Sequence, residues 1–170
     1  MATPLVLHPD RLFPVDPAVR AIARRLYEAV ATLPIVSPHG HTDPAWFADD
    51  APFADPTALL ITPDHYVFRM LYSQGVRLED LGIGGAPVDS RAAWHIFARH
   101  YPLFRGTPSR LWLDWVFSEV FGLAVRLEPD TADLYYDRIA ERLAEPAFRP
   151  RALFDRFNIA ALATTESPLD

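Results

Sequence analysis

Apolar side chains recur at helical spacing near the start of the chain, directly after a residue typical of helix N-termini. Asp16 can cap a helix, and Pro17 suits its first turn because the missing amide hydrogen is not needed there. Apolar residues then lie on one side of the predicted helix: Val19, Ile22, Ala23, Leu26 and Val30. The pattern predicts an amphipathic helix that ends at about Ala31.

Similar start and stop signals recur further along the chain. They predict helices from Thr62-Pro63 to Gly75, from Asp89 to about Tyr101, from Thr107-Pro108 to Gly122, from about Thr131 to Ala144, and around residues 152–156. The large apolar residues of these helices are interpreted as core rather than as a cofactor site: Trp94, Phe97, Trp112, Val116, Phe117 and Val120. The proline-rich stretch from Pro44 to Pro56 is predicted to be a loop.

Two short apolar runs predict buried strands of the parallel type. The first begins at residues 35–36 and runs into His39-Gly40-His41, and the second covers residues 159–163. Two such strands, separated by a long helical stretch, cannot cover both faces and both edges of a sheet. The pattern therefore favours an α/β fold, either a barrel or a doubly wound sheet, whose first crossover carries a helical insertion and of which this chain is a piece.

Composition removes several classes of function. The 170 residues carry a net charge of -6 with dispersed acidic groups, so no basic surface is expected for nucleic acid. All basic residues are Arg, which excludes a lysine Schiff base, and the absence of Cys leaves His and carboxylates for any metal. No signal peptide and no apolar run of about 20 residues is present, so we expect a soluble cytoplasmic protein without a membrane partner.

The strongest chemical signal is the pair His39 and His41 at the end of the first predicted strand. Side chains alternate along a strand, so both imidazoles are expected on one side, where they can share a metal ion. A catalytic zinc site usually has three protein ligands, and the others must come from elsewhere. With six His in the chain, chance alone also produces such a pair.

A second cluster lies in the first turns of the helix predicted after Thr62. His65 and Arg69 share one helix face and Tyr66 lies beside them, which suits a carboxylate held by Arg69 and protons exchanged with sugar hydroxyls by Tyr66 or His65. The alternative is that Asp64 supports the helix dipole, Arg69 pairs with Asp64 on the surface, and Tyr66 packs into the core. Spacing alone favours this alternative.

The remaining histidines and the last loop give weaker signals. His8, His95 and His100 are interpreted as structural or surface residues. The loop at residues 164–168 follows the second strand, where it could contact a ligand or cap a following helix.

Three motifs together resemble the uronate (glucuronate) isomerase family of the amidohydrolase superfamily. They are SPHGHTDP at residues 37–44, DHYVFR at residues 64–69 and ATTESPLD at residues 163–170, and their order and spacing match the family from about Pro4 onward. The resemblance implies a TIM-like (β/α)8 barrel of the metal-dependent hydrolase type with an inserted helical subdomain. This chain would hold an N-terminal helical segment (1–34), the first barrel strand with the histidine pair (35–43), the insertion (44–147), and a helix, second strand and loop (148–170).

The resemblance also implies a reaction and roles for residues. The family interconverts aldose and ketose forms of hexuronates, D-glucuronate to D-fructuronate and D-galacturonate to D-tagaturonate, by proton transfer through an enediol. It implies that His39 and His41 are ligands of a divalent metal, with zinc expected first and its necessity left open. The resemblance implies that His65 and Tyr66 are catalytic. It also implies that His65, Tyr66 and Arg69 bind the substrate. The implied partner is a small hexuronate, and a homo-oligomer is compatible with the resemblance.

The chain departs from the family pattern at three points. Ser37-Pro38 stand where many members have an acidic residue, Gly40 replaces a common Cys, and Glu166 stands where Asp is frequent. The family's further His, Asp and Arg residues are expected beyond Asp170, so we predict that these 170 residues alone are inactive. Two alternatives stay open: a metal-dependent hydrolase on the same barrel, and a non-catalytic helical interaction module.

Overall fold

The computed structural model describes residues 2–85 and 87–165, which contain eight α-helices and two β-strands. In chain order they are α1 (Pro17–Glu28), β1 (Ile35–Ser37), α2 (Pro44–Asp49), α3 (Pro56–Leu60), α4 (His65–Tyr72), α5 (Ser90–His100), α6 (Pro108–Trp115), α7 (Ala132–Leu143), α8 (Pro150–Arg156) and β2 (Ile159–Leu162). None of the helices in these residues is both long and apolar enough to cross a bilayer.

These elements belong to two compact units. The helical unit comprises residues 2–7 and Phe53–Glu145, and the strand unit comprises His8–Pro52 and residues 146–165. The helical unit therefore contains α3 to α7, whereas the strand unit contains both strands together with α1, α2 and α8.

Aromatic side chains on α5, α7 and the segment after α6 form the core of the helical unit. Trp94, Phe97, Phe117 and Tyr135 are fully buried, and the rings of Phe117 and Tyr135 meet edge to face at 5.0 Å. The polar atoms among them are satisfied, since Trp94 Nε1 donates to the Ala132 carbonyl at 3.0 Å and the Tyr135 hydroxyl donates to the Val125 carbonyl at 2.6 Å. Burial of such large rings, with their polar atoms bonded, stabilises this unit.

Most helix starts follow the predicted caps. The Asp16 carboxylate accepts from Val19 N, Asp89 accepts from Ala92 N, and the Thr107 hydroxyl accepts from Arg110 N. The prediction for Thr62 was wrong because Asp64 is the N-cap of α4, while the Thr62 hydroxyl donates to the Leu81 carbonyl at 3.1 Å. A carboxylate that accepts two amide hydrogens makes the stronger cap.

The prediction of a loop from Pro44 to Pro56 was also wrong. Helices α2 and α3 begin at these two prolines, after Asp43 and Asp55, whose carboxylates accept from the Ala45 and Ala58 amides. The cause is the same Asp-Pro arrangement that starts α1, with proline in the first helical turn.

Helix α6 does not place all of its predicted core residues inside. Phe117 and Val120 are buried, Val116 is half-buried, and Trp112 is 61% exposed, so the prediction for Trp112 was wrong. The neighbouring Leu113 takes the inward face instead, which turns Trp112 about 100° away from the core. The helix then widens into a π-helical turn over Val116–Val120.

Strands β1 and β2 form a parallel pair in the strand unit. Ile35 pairs with Ile159 and Ser37 with Leu162, as expected for neighbouring strands joined by a long crossover. The expectation that these strands are buried was wrong for both: in β1 Ile35 is 49% and Val36 68% exposed, and in β2 Ala160 and Ala161 are exposed. Among the described residues the sheet has only two strands, too few to bury either face.

The apolar stripe of α1 is likewise exposed. Helix α1 starts where predicted and ends at Glu28, three residues before Ala31, yet Leu26 is 67% exposed and Val19, Ile22 and Val30 are about half exposed. Such an apolar stripe is typical of a helix face that packs against another element, so the pattern identifies a surface suited to packing.

Candidate functional site

The two predicted metal-binding histidines lie in the loop that follows β1. The loop starts at the strand pair, where Ala163 N donates to the Ser37 carbonyl at 2.9 Å. A Cβ atom at Gly40 would lie 3.1 Å from Leu162 Cδ1 and 3.2 Å from the Ala163 carbonyl oxygen. The absence of a side chain at Gly40 therefore lets the loop run close along the end of β2.

The loop brings the two imidazoles together. The Nε2 atoms of His39 and His41 are 3.1 Å apart, and the ring centroids are 4.9 Å apart at an interplanar angle of 76°. Strand alternation is not the cause of this convergence, because β1 ends at Ser37 and both histidines lie beyond it. The two side chains were predicted on one side and do face each other, but the loop conformation produces the arrangement.

The separation of the two nitrogens fits a shared metal ion. Two imidazoles at zinc bond lengths of about 2.0–2.1 Å on a tetrahedral ion have their nitrogens about 3.3 Å apart, close to the observed 3.1 Å. No group of three or more His, Asp or Glu side chains suited to a metal occurs within residues 2–85 and 87–165. The described chain thus offers two converging donors and requires further ligands for a complete zinc site.

Helix α4 carries the second predicted cluster. Its N-cap Asp64 accepts from Tyr66 N at 2.9 Å and Val67 N at 3.3 Å, and Val67 is buried on the inner face of the helix. The rings of His65 and Tyr66 lie against each other with centroids 4.2 Å apart. Tyr66 is 58% exposed, so the alternative in which it packs into the core is wrong.

Arg69 is exposed on the same helix, one turn after Tyr66. Within the part of the chain that the structure describes, its guanidinium forms no ion pair with Asp64, whose carboxylate caps α4 instead. The alternative surface pair is therefore not formed. The five N–H donors of Arg69 remain suited to a carboxylate ligand.

A groove beside Tyr66 was not predicted from the sequence. It has a volume of about 400 Å³ and lies between α4 and the start of α6, lined by Tyr66, Met70, Phe104, Thr107, Pro108, Ser109 and Trp112. The exposed ring of Trp112 forms one of its walls. Helical periodicity does not distinguish an apolar residue that lines a groove from one that is buried in the core.

The other histidines have structural or surface contacts, as predicted. His95 Nε2 lies 3.0 Å from the Asp133 carboxylate on the surface, His100 Nδ1 bonds the Ile96 carbonyl, and His8 Nδ1 accepts from Asp10 N. In the loop after β2, Thr164 is half-buried and Thr165 is exposed. The remainder of that predicted loop, residues 166–168, lies outside the described residues, and so does the substitution at Glu166.

Comparison with known proteins decides the family. The family model described as glucuronate isomerase matches residues 18–170. The chain belongs to the glucuronate isomerase family. The resemblance drawn from the three motifs is thereby confirmed, and the match includes both the histidine pair and α4.

Individual uronate isomerases are similar over nearly the whole chain. Those of Rhizorhabdus wittichii and Sphingopyxis alaskensis are 75% and 71% identical to it, over 99% and 100% of this chain and 36% of each relative. The crystal structure of glucuronate isomerase from Caulobacter crescentus matches with a TM-score of 0.94 at 61% identity, over 98% of this chain and 36% of that one. Uronate isomerase from Thermotoga maritima matches with a TM-score of 0.83 at 27% identity, over 97% and 34%. The chain thus spans about 36% of the length of these relatives.

Proposed function

We propose that this chain serves uronate isomerisation, the aldose to ketose interconversion of D-glucuronate with D-fructuronate and of D-galacturonate with D-tagaturonate. Membership of the glucuronate isomerase family supports the reaction class. The observation that carries the proposal is the approach of the two imidazole nitrogens to 3.1 Å in the motif that the resemblance associates with metal. The family match favours this function over a hydrolase or a non-catalytic helical module.

We also propose the architecture that the resemblance implies. β1 and β2 are then the first two strands of a (β/α)8 barrel, and residues 44–147 form the inserted helical subdomain. The parallel pairing of the strands supports this, because parallel neighbours in a barrel are joined by crossovers. A cytoplasmic location and a homo-oligomeric state stay predictions.

His39 and His41 are proposed to hold a divalent ion, with zinc preferred. When bound, such an ion would act as a Lewis acid that polarises a substrate oxygen. The contribution of this chain is to keep two imidazoles converged, with Nε2 of each ring as the atom that would bind the metal.

Helix α4 is proposed to bind the hexuronate and move protons. Arg69 suits the substrate carboxylate because its guanidinium can donate two parallel hydrogen bonds. The Tyr66 hydroxyl and the His65 ring exchange protons with substrate oxygens as the enediol forms and collapses. In the forward direction a general base takes the proton from C2, and an acid donates a proton to the carbonyl oxygen at C1. In the second half a proton joins C1 and the C2 hydroxyl loses one, so the overall composition of the sugar is unchanged.

A chimera tests the function. These 170 residues would replace the matching stretch of the Rhizorhabdus wittichii uronate isomerase, which is 75% identical there. We expect the chimera to convert D-glucuronate to a ketose, measured by chromatography. His39→Ala, His41→Ala and Arg69→Ala should each lower kcat/KM by about 100-fold or more, because each removes a charged or metal-binding contact that is strongest in the transition state.

Two controls make the result decisive. Arg69→Lys keeps the charge but not the two-pronged donor, so its activity should lie between the parent and the alanine variant. His95→Ala removes a surface histidine and should leave the activity unchanged. A folded chimera that forms no ketose, or one whose activity survives loss of either loop histidine, would contradict the proposal.

A further inference from the structure

Helices α2 and α8 of the strand unit cap each other through one arginine and one aspartate. The Arg151 guanidinium donates from Nε to the Phe47 carbonyl at 2.7 Å and from Nη2 to the Ala48 carbonyl at 2.8 Å, at the C-terminal end of α2. In the other direction, the Asp50 carboxylate accepts from Arg151 N at 3.0 Å in the first turn of α8. Arg151 thereby satisfies carbonyl groups at the C-terminal end of α2, and Asp50 satisfies an amide group at the N-terminal end of α8. Helix ends otherwise leave such groups without partners in the helix.

The capped helix α2 begins only three residues after His41. Thr42 and the N-cap Asp43 separate His41 from Pro44, the first residue of α2, and Asp43 accepts from Ala45 N at 2.8 Å. With so short a connection, the position of α2 sets the downstream end of the loop. The rings of Phe47 on α2 and Phe154 on α8 also pack against each other, with centroids 5.9 Å apart.

The upstream end of the loop is held by the same piece of chain. Helix α8 leads after two residues into β2, and beyond β2 Ala163 N donates to the Ser37 carbonyl at 2.9 Å. Residues 150–163 therefore contact the loop's two flanks, α2 through Arg151 and β1 through the strand pair. One continuous segment fixes the distance between these flanks.

Backbone hydrogen bonds among the described residues do not hold the loop internally. In the part of the chain that the structure describes, no backbone amide of residues 38–42 donates to a backbone carbonyl. The Ser37 hydroxyl bonds the His39 carbonyl at 3.1 Å, and Gly40 packs against β2. The two flanks therefore contribute to the geometry of the rings.

We propose that Arg151, together with Asp50, is a positioning residue that keeps the imidazoles of His39 and His41 converged. Its relevance to catalysis rests on the proposed metal role of the pair, whereas the effect on ring geometry does not. Arg151 is itself exposed, so its removal opens no cavity in a core. The guanidinium is well suited to this task because its planar fork reaches two successive carbonyls at once.

The chain offers a matched control two residues earlier. Arg149 is also exposed and precedes the same helix, but within residues 2–85 and 87–165 its side chain has no hydrogen bond or ion pair. Arg149→Ala thus removes the same charge without touching α2. Arg151→Lys keeps the charge and can bond only part of the carbonyl pair.

The test compares these variants in the 170-residue chain by NMR, and in the chimera with the Rhizorhabdus wittichii isomerase by zinc titration. We expect nuclear Overhauser contacts between the His39 and His41 ring protons in the parent, as centroids 4.9 Å apart allow. They should persist in Arg149→Ala, weaken in Arg151→Lys and disappear in Arg151→Ala. Zinc affinity should fall about 10- to 100-fold in Arg151→Ala, as for other groups that orient metal ligands, and stay unchanged in Arg149→Ala.

Thermal unfolding separates positioning from plain stabilisation. An Arg151→Ala chain that melts earlier but keeps the ring contacts and zinc affinity would overturn the inference. If His39→Ala and His41→Ala leave the zinc affinity of the chimera unchanged while the ring contacts respond as expected, the metal role fails and the positioning role stands. Should Arg151→Ala not fold, Asp50→Ala removes the other half of the contact, and unchanged ring contacts in that variant would equally overturn the inference.

Discussion

Both the helical unit and the strand unit contain amphipathic helices, but the apolar faces are buried in the helical unit and exposed on α1 of the strand unit. Of the 21 hydrophobic residues that are buried in the described chain, 20 lie between Ile61 and Leu143 in the helical unit, and Phe148 is the one in the strand unit. Helix α1 has an apolar stripe as regular as those of α5 and α7, but the stripe is exposed. An amphipathic pattern thus identifies the face that needs a partner and not whether a partner is present.

The largest difference between the units is expected for core truncation. Trp94→Ala should lower the free energy of unfolding by about 3–5 kcal/mol, because it removes a fully buried ring and leaves a cavity. Urea unfolding followed by circular dichroism measures this change. A loss of less than about 1 kcal/mol would mean that the helical unit lacks a close-packed core.

A smaller loss of stability is expected at alkaline pH, where the buried Tyr101 hydroxyl resists deprotonation. Burial, followed by the negative charge of Asp114, raises the pKa of the Tyr101 hydroxyl above its ordinary value of 10.0. The folded state keeps this proton while the unfolded chain releases it, so the stabilising contribution is complete below pH 10 and is lost as the pH rises further. The slope should reach about 1.4 kcal/mol per pH unit for one such group.

The comparison that isolates this group is Tyr101→Phe. Its stability above pH 10 should fall less steeply than that of the parent, even if its stability at neutral pH is lower through loss of the bond to Asp114. Tyr135, whose pKa is also raised chiefly by burial, should sustain a residual slope. Equal slopes in parent and variant would contradict burial of the Tyr101 phenol.

A capping substitution should have a moderate effect. Asp64→Ala removes the carboxylate that accepts from Tyr66 N and Val67 N and should destabilise the helical unit by about 1 kcal/mol. Asp64→Asn is the matched control and should be nearly neutral, because asparagine caps about as well. If Thr62→Ala had the larger effect, the assignment of the cap to Asp64 would be wrong.

The smallest effect is expected on the stripe of α1. Leu26→Gln replaces a side chain that is 67% exposed and should change the free energy of unfolding by no more than about 0.5 kcal/mol. Together with Trp94→Ala, it makes the contrast between the two units quantitative. A loss of several kcal/mol would show that Leu26 is covered in solution.

Local signals predicted much of the fold. The starts of α1, α5 and α6 follow from Asp16, Asp89 and Thr107, because a cap and the residues it bonds are only a few positions apart. The same signal is present at Asp43 and Asp55, where the proline content predicts a loop instead. Those two helices were therefore predictable from the chain itself.

Features that depend on distant parts of the chain could not be predicted in this way. The contacts of Arg151 with Phe47 and Ala48 join residues more than a hundred positions apart, so no local sequence pattern predicts them. The exposure of Trp112 depends on which neighbour packs inward. The convergence of His39 and His41 was expected from strand alternation but arises from a loop whose flanks are fixed at long range.

Zinc binding by the histidine pair is the most direct test of the central claim. Calorimetric titration of the metal-free chimera should show a zinc site that either His39→Ala or His41→Ala abolishes, while His95→Ala, which removes a surface histidine bonded to Asp133, leaves it intact. Zinc binding with unchanged affinity and stoichiometry in the chimera that lacks both loop histidines would contradict the account.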